Sequence, residues 1–276
     1  MNKIGALIQL KDGIDIYAKM KELAEIGCEC CQITVWDPSL YTEENAERIR
    51  LGAKETGIEV STLWAGWSGP KQWNFVGGPS TLGIVPDAYR MKRTEEILEG
   101  ARFAKKIGVS RVATHAGFLP ENMCDPKFLD VRAALRYIAE ECRALGLNFL
   151  FETGQETPVT LLRFIEEIGL DNVGINMDTA NLILYGKGNS ADAITVFGKH
   201  VMDTHIKDGF YPTSGKELGR EVRVGEGLAN IPEVVRRLRA IGYSGNFVIE
   251  REISGEKQMK DIKDTLAYIK EILSAT

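Results

Sequence analysis

Seven glycines set the rhythm of this chain: Gly27, Gly57, Gly108, Gly146, Gly169, Gly198 and Gly242 each follow a helix-like segment and stand a few residues before a strand-like one. The residue just past a helix end often takes positive φ, which a side chain resists, so each glycine reads as a helix stop. Seven helix-to-strand junctions imply eight strands, expected at about 4–10, 29–35, 58–64, 110–115, 147–152, 172–178, 201–206 and 246–250. The segments between them carry single apolar stripes. The first aligns Ile16, Met20, Leu23 and Ala24, and a later one Val131, Leu135, Ile138, Cys142 and Leu145. The last spaces Met259, Ile262, Leu266, Ile269 and Leu273 along one face, with Ser254 as its expected cap.

Strict alternation of strand and helix makes a parallel sheet, and eight such units in 276 residues predict one (β/α)8 TIM barrel spanning 1–276. An open dinucleotide-binding sheet lacks its usual G-x-G-x-x-G after strand 1. The 44% hydrophobic content suffices for one large core. The opening apolar segment is short, broken by Gln9 and followed by Lys11 and Asp12, and no later run is long enough to cross a bilayer. The chain therefore reads as soluble and cytoplasmic, with no membrane partner. A net charge of −5 argues against a nucleic-acid partner, and the oligomeric state, a homo-oligomer included, is left open. Five cysteines without metal-site or redox spacing read as free buried thiols.

Four successive strands close on chemistry-bearing residues. The apolar run Leu147–Phe151 leads to Glu152, Val173–Met177 to Asp178, Val201–Thr204 to His205, and Asn246–Ile249 to Glu250. A doubly buried strand accepts such a charge only when it is paired or metal-bound, and a barrel gathers all four at its C-terminal rim. Any one of them alone is adequately explained as a rim salt bridge. Together, three carboxylates and one imidazole suit a divalent ion, Mn²⁺ foremost, with Co²⁺, Mg²⁺ or Zn²⁺ as alternatives. An ion there polarises a carbonyl and stabilises an enediolate while a carboxylate moves the proton.

The unit after strand 3 is irregular: residues 64–86 carry three tryptophans, five glycines and three prolines. Such a loop is either a packed cap or a lid on which Trp64, Trp67 or Trp73 stacks against a sugar. Other polar candidates for substrate contact are His115 at the end of strand 4, Glu156 beyond Glu152, Lys207 two residues after His205, and Glu226 in a glycine-flanked turn.

The motifs FETGQE (151–156), INMDTAN (175–181), DTHIKDG (203–209), VGEG (224–227) and IEREISG (249–255), in this order, resemble those of sugar phosphate isomerases and epimerases of the xylose isomerase-like TIM-barrel superfamily. The resemblance covers almost the whole chain. It implies that Glu152, Asp178, His205 and Glu250 are the metal ligands. By similarity to ketose 3-epimerases, it implies that Glu152 and Glu250 exchange a proton on the two faces of a small sugar. Where those epimerases have a histidine three residues after the strand-6 aspartate, this chain has Asn181; where they have an arginine after the strand-7 histidine, it has Lys207, with Tyr211 nearby. The HIKD run instead is similar to inosose dehydratases. The leading expectation is a metal-dependent sugar isomerase or epimerase acting through an enediolate on a non-phosphorylated substrate. A lyase or dehydratase on a ketosugar, 3-keto-glycoside or inosose is second. An endonuclease IV-like nuclease is disfavoured, because three histidines are too few for its zinc cluster.

Overall fold

A computed structural model describes residues 2–275; Met1 and Thr276 of the expected 1–276 unit lie outside the described residues. Eight parallel strands close into a barrel: β1 (Ile4–Leu10), β2 (Cys30–Val35), β3 (Glu59–Ala65), β4 (Arg111–Thr114), β5 (Asn148–Glu152), β6 (Val173–Asp178), β7 (Val201–Ile206) and, after a two-stranded hairpin of β8 (Asp208–Phe210) and β9 (Arg220–Val222), β10 (Phe247–Ile249). Around the ring the order is β1-β10-β7-β6-β5-β4-β3-β2. Each expected strand is present within one residue at either end.

The glycine reading holds at six of its seven positions: Gly27, Gly57, Gly108, Gly146, Gly169 and Gly242 all have positive φ. Gly198 does not. It opens a 3-10 turn, Gly198–His200, with φ −52°, and a Cβ there would stand 2.7 Å from Ile241. Close packing, and not a left-handed helix stop, accounts for that glycine.

Helices sheathe the barrel with the expected stripes. Helix Pro126–Ala144 buries Val131, Leu135, Ile138 and Cys142, while Phe128 meets Phe164 of helix Pro158–Ile168 at 4.3 Å between ring centroids. The final helix is Glu256–Ala275, so Ser254 stands two residues ahead of it on a cavity wall and not at its expected cap position. Cys28, Cys30, Cys31 and Cys142 are buried thiols, but Cys124 is exposed.

Inside the ring the packing is polar. Alternation puts Asp203 on the face of β7 that also carries His205, and its carboxylate accepts from the Ser61 and Thr62 hydroxyls at 2.6 and 2.7 Å. One layer higher, Gln32, Asn176 and His205 are almost wholly buried. Buried polar groups need partners, and here Asp203 finds them on β3 and Gln32 on β6 and β7, while Asn176 Nδ2 has none among the described residues.

Candidate functional site

The four strand-end residues converge. One ligand atom from each of Glu152, Asp178, His205 and Glu250 lies within 4.8 Å of all the others. Separations of this size are what one ion held at about 2.0–2.4 Å by oxygen and nitrogen donors requires. Asp178 Oδ1 accepts from the backbone N–H groups of Ala180 and Asn181 at 2.7 and 2.8 Å, whereas its buried Oδ2 has no hydrogen-bond partner. A carboxylate oxygen fixed in place, buried and without a hydrogen bond in this donor set fits a cation.

A relay from the barrel interior orients the imidazole. His205 Nε2 lies 2.8 Å from Gln32 Oε1, and the Gln32 amide in turn donates to Asn176 Oδ1 at 2.8 Å. With Nε2 donating to Gln32, Nδ1 faces Glu152 Oε1 at 3.0 Å and Glu250 Oε2 at 3.3 Å. This is the supporting hydrogen bond that ligating histidines commonly have, fixing which nitrogen is free for a metal. No strand-end pattern marked Gln32 or Asn176; their polarity at inward positions of β2 and β6 was the available signal.

Lys207 sits beside the cluster, 2% exposed by its side chain. Its ammonium is 3.3 Å from Glu250, 3.7 Å from Asp178 and 2.9 Å from Glu252. Burial alone would depress it, but Glu250, Glu252 and Asp178 hold it well above the ordinary lysine range. Burial likewise works against a charged His205, yet Glu250 and Glu152 hold its imidazole well above its usual value. Burial would also raise Glu250, but Lys207 and His205 keep its carboxyl well below the usual carboxylate range. Asp178 goes the other way, pushed up by burial against the pull of Lys207. Asn181 joins the two sides, 3.4 Å from Glu152 and 3.5 Å from Lys207.

Above the cluster opens a cavity of about 740 Å³, whose lining includes Glu152, Glu250, His115, Asn181 and Lys207. His115 Nε2 is 3.7 Å from Glu152 Oε2, an oxygen that also accepts from the Trp64 indole. Trp36, Trp64 and Trp73 form the aromatic wall, with Trp36 and Trp64 centroids 4.6 Å apart. Trp36, just past β2, was outside the sequence expectation.

Three expected contacts lie elsewhere. Trp67 is fully buried and off the cavity, because Arg93 from the following helix stacks on its ring at 4.1 Å. The same guanidinium donates to the carbonyls of Ser68, Pro70, Thr81 and Gly83 and so pins the loop. Glu156 is buried beside the cavity without lining it, accepting from the Gly154 N–H at 3.2 Å. Burial raises its carboxyl to about 8. Glu226 points to solvent and pairs with Arg223 at 3.0 Å. The glycines around Glu226 serve Asp208 instead, whose carboxylate accepts from the N–H groups of Gly209, Gly225, Gly227 and Ala229 at 2.8–2.9 Å. A Cβ on Gly227 would come within 2.2 Å of Asp208 Oδ1. The HIKDG and VGEG motifs are thus two halves of one structural knot.

The long loop is partly cap and partly cavity wall. Trp67 caps, while Trp73, 39% exposed, faces the cavity. The loop is tied to the β8–β9 connection through the Phe75 N–H and the Lys216 carbonyl at 2.9 Å. Among the described residues no helix is long and apolar enough to cross a membrane.

Comparison with known proteins agrees with this architecture. The chain is 25% identical over 285 residues to the 3-dehydro-D-guloside 4-epimerase of Escherichia coli K12, covering 97% of this chain and 99% of that protein. It is also 25% identical over 196 residues to the uncharacterized protein MJ1311 of Methanocaldococcus jannaschii, a match spanning 67% of this chain and 63% of the relative. The crystal structure of a xylose isomerase domain protein from Planctomyces limnophilus superposes with a TM-score of 0.91 at 29% identity, covering 98% of this chain and 96% of the other. The family profile described as Xylose isomerase-like TIM barrel matches residues 20–272, and the chain belongs to that family.

Proposed function

We propose that this protein is a divalent-metal-dependent sugar epimerase or isomerase that moves a proton at a carbon beside a carbonyl. The observation that carries the reading is the placement of Glu152 and Glu250. Both line the cavity and belong to the four-residue donor cluster, and they stand at the end of β5 and just past β10, with β6 and β7 between them. Two carboxylates approaching one pocket from separated strands suit proton removal on one face of a substrate carbon and delivery on the other. The 4-epimerase relative supports this choice, since its name places inversion at C4, beside an oxidised C3.

Glu152, Asp178, His205 and Glu250 would hold the ion, which we assign as Mn²⁺ on its oxygen-rich donor set. When bound, it supplies Lewis acidity toward a substrate carbonyl. The protein's own groups do the rest. Three carboxylates and a dication would leave one negative charge, which the Lys207 ammonium beside Glu250 offsets while it also pairs with the exposed Glu252, so a cation stands next to the charge that develops on the substrate. Asn181 and His115 flank Glu152 and are placed to orient substrate hydroxyls. Trp64 holds the second oxygen of Glu152, and the Trp73 ring, 5.6 Å from His115, limits water over the reacting carbon.

The test is NMR of the Mn²⁺-supplemented protein in D₂O with keto sugars and 3-keto-glycosides, with the paramagnetic ion removed before spectra are taken. Deuterium at the carbon beside the carbonyl, together with the inverted or isomerised sugar, is the expected result. Loss of a β-substituent instead identifies a lyase. No exchange with any carbonyl sugar refutes the reading.

A further inference from the structure

The cavity is larger than one sugar ring needs. A hexose has twelve heavy atoms and fills roughly 200 Å³ when each takes little more than half of the ~30 Å³ share of a liquid water. The cavity measures about 740 Å³. Volumes of this order enclose considerably larger ligands. Part of the cavity wall is formed by β1 and β2, which stand across the ring from β5 and β6.

On that wall the polar groups lack protein partners. Gln9 belongs to a barrel strand yet is exposed, lines the cavity, and its side chain makes no hydrogen bond. The Thr34 hydroxyl is buried without a hydrogen-bond partner among the described residues, and the half-buried Trp36 lines the same wall. Buried polar side chains are normally satisfied, so the open Thr34 hydroxyl, with the Gln9 amide across from it on the same cavity wall, points to hydrogen bonds supplied by a ligand. Of the nearby cations, Arg251 pairs with Glu221 at 2.8 Å and Asp261 at 2.9 Å, while the Lys71 ammonium donates to the Trp67 carbonyl at 3.0 Å and lies 5.1 Å over the Trp36 ring. Neutral donors and acceptors beside an indole match a hydroxylated ring, and do not match an aliphatic chain.

We infer that the β1–β2 wall is a second subsite for a neutral, hydroxylated ring, so that the substrate is a disaccharide-sized glycoside whose far sugar rests on Gln9, Thr34 and Trp36. This rests on the reading of the protein as a sugar enzyme, but its test needs no turnover. Calorimetry with the Mn²⁺-supplemented protein would compare glucose- and galactose-based methyl glycosides, phenyl glycosides and disaccharides. At least one disaccharide should bind about tenfold tighter than its methyl glycoside. Gln9→Ala and Thr34→Val should each remove roughly three- to tenfold of that gain while leaving methyl glycoside binding unchanged, the worth of one neutral hydrogen bond. The inference fails if no disaccharide outbinds its methyl glycoside, if phenyl glycosides bind tightest, or if the variants weaken both ligand classes equally. A protein that prefers disaccharides but exchanges no hydrogen in D₂O keeps this inference and loses the proposed reaction.

Discussion

Replacing Gln32 by leucine isolates the relay that orients His205. In the wild type the imidazole is held through Nε2 at 2.8 Å, and Gln32 is itself held by Asn176 at 2.8 Å. Leucine keeps the volume but removes both bonds, freeing the ring to turn or to carry its proton on Nδ1, the nitrogen that faces the carboxylates. Losing a supporting partner of this kind typically costs 10–100-fold in metal affinity, about 1.4–2.7 kcal/mol. Because ligand binding to the native state adds directly to stability, the stabilisation conferred by saturating Mn²⁺ should shrink by the same amount, a loss of about 3–5 °C in the metal-induced rise of Tm for a chain of this size. The comparison must use the metal-induced rise and not Tm itself, since the buried Nε2–H and Asn176 Oδ1 left without partners destabilise the metal-free protein as well. Calorimetric titration with Mn²⁺ gives the affinity directly. If Gln32→Leu binds Mn²⁺ within about twofold of wild type and shows the same metal-induced rise, the relay does not orient a ligand and His205 Nδ1 is not the coordinating atom.

Glu152→Gln and Glu250→Gln should each stay down by about 10²–10⁴-fold in turnover at saturating Mn²⁺, because an amide oxygen still coordinates but cannot accept a proton; recovery of both by added metal would remove them as the acid–base pair. Trp67→Ala should cost about 3–5 kcal/mol in denaturant unfolding, as it empties a buried site under Arg93. Trp73→Ala should instead raise KM with little change in stability, and the reverse pattern would mean the loop has been misread. Glu156, raised to about 8 from an ordinary 4.5, binds a proton in the folded state that the unfolded chain releases. Stability should therefore be fullest below about pH 4.5 as far as this group is concerned, and fall as pH rises towards 8, by on the order of a few kcal/mol. Glu156→Gln should flatten that decline in thermal melts between pH 5 and 8, and an unchanged slope would show that Glu156 is already ionised in the fold.

The barrel and its four converging donor residues were legible in the sequence because both are local signals. Periodicity marks a strand, a glycine with positive φ marks a helix end, and a carboxylate closing an apolar strand marks the rim wherever the barrel closes. The misread glycine, Gly198, is the one whose reason is a neighbour, Ile241, from another part of the chain. The same division runs through the site. Glu152, Asp178, His205 and Glu250 each lie within one residue of a strand's end, so their direction followed from strand alternation. The three loop-side tryptophans look alike in sequence, and only Arg93 on the next helix decides that Trp67 turns inward while Trp73 stays on the cavity. Glu226 looked like a substrate ligand because glycines flank it, yet those glycines exist to let backbone N–H groups reach Asp208. Gln32, Asn176 and Glu252 acquire their roles from partners up to 173 residues away. Pairings of that range depend on which side chains the closed ring brings face to face, and that is decided by tertiary packing.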